Sequence, residues 1–202
     1  MNAALCYSIF DESIRDYHRS DHVDAPLVNP HPAGSIEQLL YLKNWIDTVQ
    51  WHLEDLIRDP HLDPVAGMAL KRRIDASNQH RTDTVERIDD WFLAYFKEVT
   101  PQPDARLNSE TPAWLVDRMS ILTLKIWHMR EQTQRTDTAA AHRENCSAKL
   151  ALLVEQKTDL GQALDELLAD MGSGRRRMKV YRQVKMYNDA TLNPVLYKPV
   201  VS

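Results

Sequence analysis

Apolar and polar positions along this chain repeat with the period of a helix, not of a strand. Leu39, Leu42, Ile46, Val49, Leu53 and Leu56 recur at spacings of three and four and mark one face of a helix. Ser35 with Gln38 ahead of this run has the form of a capping box, and Pro60 closes it. A second helix is expected from Asp63 to about Phe96. Asp63 caps it, and Pro64 lacks an amide where none would be paired. A third opens at Thr111–Pro112 with the same chemistry and carries Leu115, Met119, Leu122, Ile126 and Met129. Ile121, Leu124 and Trp127 lie around its cylinder, so it belongs at the centre of the fold. A fourth starts between Thr136 and Thr138, carries Leu150, Leu153, Leu160, Leu164 and Leu167, and stops at Gly172-Ser173-Gly174. Gly161 in its middle works against it. Residues 1–20 predict a short helix around Ile9, Phe10, Ile14 and Tyr17, and the prolines of 21–34 predict a loop. A shorter helix is expected from Arg175 to Tyr187, followed by an extended tail. The expected fold is all-α, a bundle of four long helices plus a shorter C-terminal helix and an extended tail. Its expected parts are 1–34 (short helix and loop), 35–171 (bundle core) and 172–202 (basic C-terminal helix and tail).

Polar residues interrupt the stripes where burial is expected. The second helix runs Leu70, Ile74, Asn78, Arg81, Val85, Ile88, Phe92, polar for one turn and then apolar again. A buried arginine requires a carboxylate or an anionic ligand beside it, and Asp75 can join the patch. The first long helix offers Gln38, Tyr41, Trp45, Thr48, His52 and Asp55 beside its apolar face. The third adds Asp117, Lys125 and His128. Bundles build sites from such residues on facing helices. The candidate acid/base residues are His52, Asp55 and His128, and the candidate ligand contacts are Trp45, Asp75, Asn78, Arg81, Asp117 and Lys125. Structural roles stand beside these: hydrogen-bonded core histidines, Asn78 fixing register, Arg81 bridging to Asp55 or Asp117, and tryptophans that only pack.

Charge adds an asymmetry. Residues 171–202 hold seven basic side chains against Asp189, a surplus of six in a chain of net charge −4. Such an arm either docks on the acidic body or attracts an anionic ligand or a membrane surface as a peripheral contact. A hydrophobic share of 43% and a charged share of 27% suit a globular protein, not a disordered one. There is no GxGxxG and no GxxxxGK[ST], which excludes the Gly-rich phosphate loops. No apolar run approaches the roughly 18 residues of a membrane span, and the N-terminus lacks a basic n-region. A cytoplasmic location with reduced Cys6 and Cys146 is expected. The acidic body and the lack of a reader motif argue against sequence-specific nucleic-acid binding.

Several chemistries stay open. No residue is assigned as a metal ligand, since neither paired Glu-x-x-His motifs nor HExxH occurs. His52, Asp55, Asp75 and His128 offer at most one oxygen/nitrogen set. Cys146 and His142 lie four apart on one helix face, as a nucleophile and base would. Arg81, Lys125 and Arg175 to Arg177 suit a phosphorylated or carboxylated ligand. The sequence names no cofactor. Three functions follow: binding of an anionic small molecule such as a nucleotide sugar or sugar phosphate; a non-catalytic partner of a glycosyltransferase; or a divalent-metal nucleotide hydrolase with Asp55, Asp75 and Asp117 as ligands.

The segments NWIDTVQWHLEDLIRDP (44–60), KRRIDASNQHRTDTVERID (71–89), DRMSILTLKIWHM (117–129) and KVYRQVKMYNDATLNPVLY (179–197) resemble the bacterial domain of unknown function 4254. The resemblance covers roughly residues 35–197. It implies an all-helical fold and no assigned activity. Members are often encoded among genes for surface polysaccharide or lipopolysaccharide synthesis, which implies a role in surface-glycan assembly. It carries no catalytic residue over.

Overall fold

Local sequence starts the helices. Asn2 accepts from the Leu5 amide at 2.9 Å, and Asp165 from a distant helix accepts from the Ala3 amide at 2.7 Å. These bonds begin α1 (Ala3–Tyr17). Ser35 accepts from the Gln38 amide at 3.1 Å, while the Gln38 side chain accepts from Gly34, one residue ahead of the usual box partner. There α2 (Ile36–Leu56) begins. Asp63 holds the amides of Val65 and Ala66, both at 3.0 Å, and Pro64 opens α3 (Pro64–Tyr95). Thr111 occupies the cap position of α4 (Pro112–Gln134) without a side-chain cap bond, and Ala139 does the same for α5 (Ala140–Gly172). These are the long helices that the apolar stripes mark out.

The computed structural model describes residues 1–182, 186 and 189–197. In it α1 is part of the core. Phe10, Ile14 and Tyr17 are fully buried, and Phe10 and Tyr17 pack in one cluster with Leu40, Tyr41, Val85, Ile88, Phe92, Val116, Met119 and Leu164 from the four long helices. Gly161 is explained by this contact. A Cβ there would stand 3.3 Å from the Tyr7 ring and 3.5 Å from Ala3, so the missing side chain lets α1 cross α5 closely.

The C-terminal region departs from expectation. No helix begins at Arg175. Instead β2 (Arg176–Arg177) pairs in parallel with β1 (Arg106–Leu107), joining the α3–α4 connection to the end of α5. Gly174, at φ 74, makes the turn between α5 and β2. The short C-terminal helix lies further on, as α6 (Pro194–Tyr197), in a segment expected to be extended. Positions 183–185 and 187 of the expected helix lie outside the described residues. The basic arm docks on the body: Arg175 and Arg176 reach Asp170, and Arg182 reaches Asp90 and the Glu86 carbonyl. Among the described residues no helix is long and apolar enough to cross a membrane.

Candidate functional site

The misplaced polar residues resolve into two adjacent constellations. The first is a charge set between α2, α3 and α4. Lys43 is fully buried, touches Asp47 and lies 2.9 Å from Asp117 Oδ1. Arg81 donates through Nε and Nη2 to the two Asp117 oxygens, at 3.0 and 2.5 Å. Its Nε stands 3.4 Å from Asp47 Oδ1. Ser120 donates to Asp47 at 2.6 Å, and Asn44 donates to Ser120 at 3.0 Å. Two cations thus face two carboxylates, the arrangement that lets buried charge persist. Burial pushes the Asp47 carboxyl up, against the pull of Lys43. Burial also works to raise Asp117, but Lys43 and Arg81 outweigh it and hold that carboxyl low.

Through Asp47 and Arg81 this set borders a cavity of about 350 Å³, lined also by Gln50, Trp51, Glu54, Asp55, Arg58, Ile121 and Leu124. Arg81 is one-quarter exposed there, and its Nη1 makes no protein hydrogen bond among the described residues. A second cavity of about 620 Å³ lies past Asp55 and Arg58, which line both, and is bordered by Tyr17, Asp21 and His52.

The second constellation is a histidine triangle. His18 caps the C-terminus of α1, His52 lies on α2 and His128 on α4. Each offers a ring nitrogen within 4.8 Å of the others, and the three Nε2 atoms are buried without a protein partner. His18 Nδ1 lies 2.7 Å from the Ile14 carbonyl and His128 Nδ1 lies 2.8 Å from Glu131. Both acceptors demand a proton on Nδ1, which in a neutral ring leaves the lone pair on Nε2. Burial, then His128 and His18, lower the His52 pKa and keep that ring neutral. Asp21 Oδ1 stands 3.9 Å from His52 Nε2.

Every histidine of the triangle follows an aromatic residue: Tyr17-His18, Trp51-His52, Trp127-His128. Each aromatic ring covers the histidine of another helix. Tyr17 stacks on His52 (5.1 Å), Trp51 on His128 (4.9 Å), and Trp127 lies against His18 (5.0 Å). The shell closes on itself. The Tyr17 hydroxyl beside it is pushed up to about 12 by burial, Asp21 and Asp24.

The residues expected from sequence divide between these places. Arg81 and Asp117 meet as a bridge, and His52 meets His128. Asp55 is exposed on the rim of both cavities. Trp45 is buried and packs on Tyr41 and Tyr17. Asn78 is half-buried and lines neither cavity. Asp75 faces solvent and pairs with Lys71, and Lys125 is exposed on α4. Asp55, Asp75 and Asp117 are therefore not gathered as a carboxylate metal set. Among the described residues the only group of that kind is the three histidines. Cys146 lies 3.4 Å from His142 at a site apart from both cavities. Sequence reasoning missed Lys43, Asn44, Asp47, Ser120, His18 and Asp21. The signal for His18 was the thrice-repeated aromatic–His pair. For Lys43 and Asp47 it was an i,i+4 ion pair on a helix apolar on most sides.

A family model described as a protein of unknown function, DUF4254, matches residues 37–180. No curated protein and no solved structure matches.

Proposed function

The chain belongs to the DUF4254 family, and from that premise we propose that it binds an anionic small molecule, a sugar phosphate or nucleotide sugar, in the cavity between α2, α3 and α4. One observation carries the reading. Asp117 holds Nε and Nη2 of Arg81, which fixes the guanidinium plane of a side chain that lines the cavity and leaves Nη1 without a protein hydrogen bond among the described residues. A fixed donor loses little freedom on binding an anion. Around it, Trp51, Ile121 and Leu124 supply apolar wall, while Gln50, Glu54 and Asp55 supply acceptors for hydroxyl groups. A cavity of about 350 Å³ suits a monosaccharide phosphate. A nucleotide sugar would extend past Asp55 and Arg58 into the second cavity. The family's place among surface-glycan genes supports the same ligand class.

Thermal unfolding with glucose 1-phosphate and UDP-glucose tests this. A ligand at a hundred times its Kd should raise the midpoint by roughly 5–10 °C. Arg81→Ala would strand Asp117, so Arg81→Lys is the variant to use: it keeps the cation and removes Nη1. Absence of any shift, or a shift that Arg81→Lys leaves intact, overturns the reading.

A further inference from the structure

We propose that His18, His52 and His128 form a binding site for a divalent transition metal of the zinc class, coordinated through their Nε2 atoms. The inference is independent of anion binding. It rests first on lone pairs. At His18 and His128 the Nδ1 proton is committed to Ile14 and Glu131, which leaves the lone pair on each buried Nε2 without a hydrogen-bond partner among the described residues. The third buried nitrogen, on His52, is equally unpartnered. Three unpartnered polar atoms buried on clustered rings are unfavourable, and one cation satisfies all three.

Geometry and surroundings agree. An ion about 2.1 Å from each nitrogen in a tetrahedral site sets them about 3.4 Å apart. One nitrogen of each ring lies within 4.8 Å of the others, so a closing movement of an ångström or so, on the order of the difference from 3.4 Å, completes the site. The Nδ1 bonds to a backbone carbonyl and a carboxylate are the outer contacts that orient metal-bound imidazoles. The cyclic shell of Tyr17, Trp51 and Trp127 fixes the ring planes. Nitrogen ligands in a threefold set suit zinc, cobalt or nickel over magnesium or calcium. Three protein ligands leave a fourth position for water. Tyr17, Asp21 and His52 line the second cavity, which supplies access to it. Trp51 both stacks on His128 and lines the anion cavity, so the two sites share a wall.

The test is titration of the chelator-treated full chain with cobalt(II) and zinc(II). The expected result is one equivalent bound, with the visible bands of tetrahedral cobalt and displacement by zinc. His18→Gln, His52→Gln and His128→Gln should each weaken binding by about 100-fold or more, and Glu131→Gln by about 10–100-fold. Far-ultraviolet dichroism and the urea-unfolding midpoint check that the variants fold. His142→Gln, away from the triangle, should bind as the wild type does. No stoichiometric binding, or affinity unchanged in folded variants of the triangle, overturns the proposal.

Discussion

Replacing Lys43 with Met probes the buried charge set. Met preserves the length and apolar stem of a fully buried side chain and removes its charge. Two carboxylates then share one guanidinium. Asp117 keeps both Arg81 bonds, so Asp47, already pushed up by burial, is the group that takes a proton. Holding a proton on a carboxyl of ordinary value 3.8 costs about 1.36 kcal/mol per pH unit, hence at most about 4 kcal/mol at pH 7, less the part that burial already imposes on Asp47 in the wild type. That agrees with the about 3–5 kcal/mol expected when one member of a buried pair is removed. A carboxyl whose folded value is raised above the unfolded one destabilises at high pH, and the penalty fades as pH falls toward the unfolded value. At pH 5 the same arithmetic leaves about 1.6 kcal/mol. Asp117 is held low, so its contribution is lost only at more acid pH, outside this window. Urea unfolding followed by tryptophan fluorescence, at both pH values and for both proteins, measures the difference. A loss below about 1 kcal/mol at pH 7, or an equal loss at the two pH values, refutes the reasoning.

Other positions give sharper local tests. Gly174→Ala places a Cβ 2.7 Å from the Thr100 carbonyl at a positive φ, so urea unfolding should show a loss of about 1–3 kcal/mol. The Cys6 thiol is pushed up to about 12 by burial and Asp165. It should react with a disulfide reagent only as fast as the fold opens, and rapid labelling of native protein would contradict this. Arg182→Ala removes the contacts to Asp90 and Glu86. Trypsin should then cut near Lys179 faster while the unfolding midpoint stays put, and equal cleavage rates would show that other contacts hold the arm.

The helices were legible because their signals are local. Ser35, Asp63, Pro64 and the glycines after Met171 act on amides and carbonyls within a turn of themselves. The strand at Arg176 was not legible, since its partner at Arg106 lies outside any local window. The site was half legible. Period placed Arg81 and Asp117 inward on their helices, and His52 and His128 likewise, and these pairs meet. Whether such residues meet depends on the axial offset between helices, which no single period contains. Asp75 and Lys125 show the cost: each shares a helix with a residue of the buried charge set and is itself exposed. His18 escapes the pattern because the sequence sets residues 1–34 apart from the bundle core, whereas α1 packs into it through Phe10 and Tyr17.

The balance of Lys43, Arg81, Asp47 and Asp117 also constrains how this sequence can drift. The four sit on three helices far apart in the chain, yet any single neutral replacement strands an opposite charge in the interior. A lineage can leave the arrangement cheaply only by exchanging a cation and a carboxylate together, as in Lys43→Met with Asp47→Leu. These positions are therefore expected to change as a unit among relatives. Exposed pairs such as Lys71 and Asp75 can lose either member without consequence.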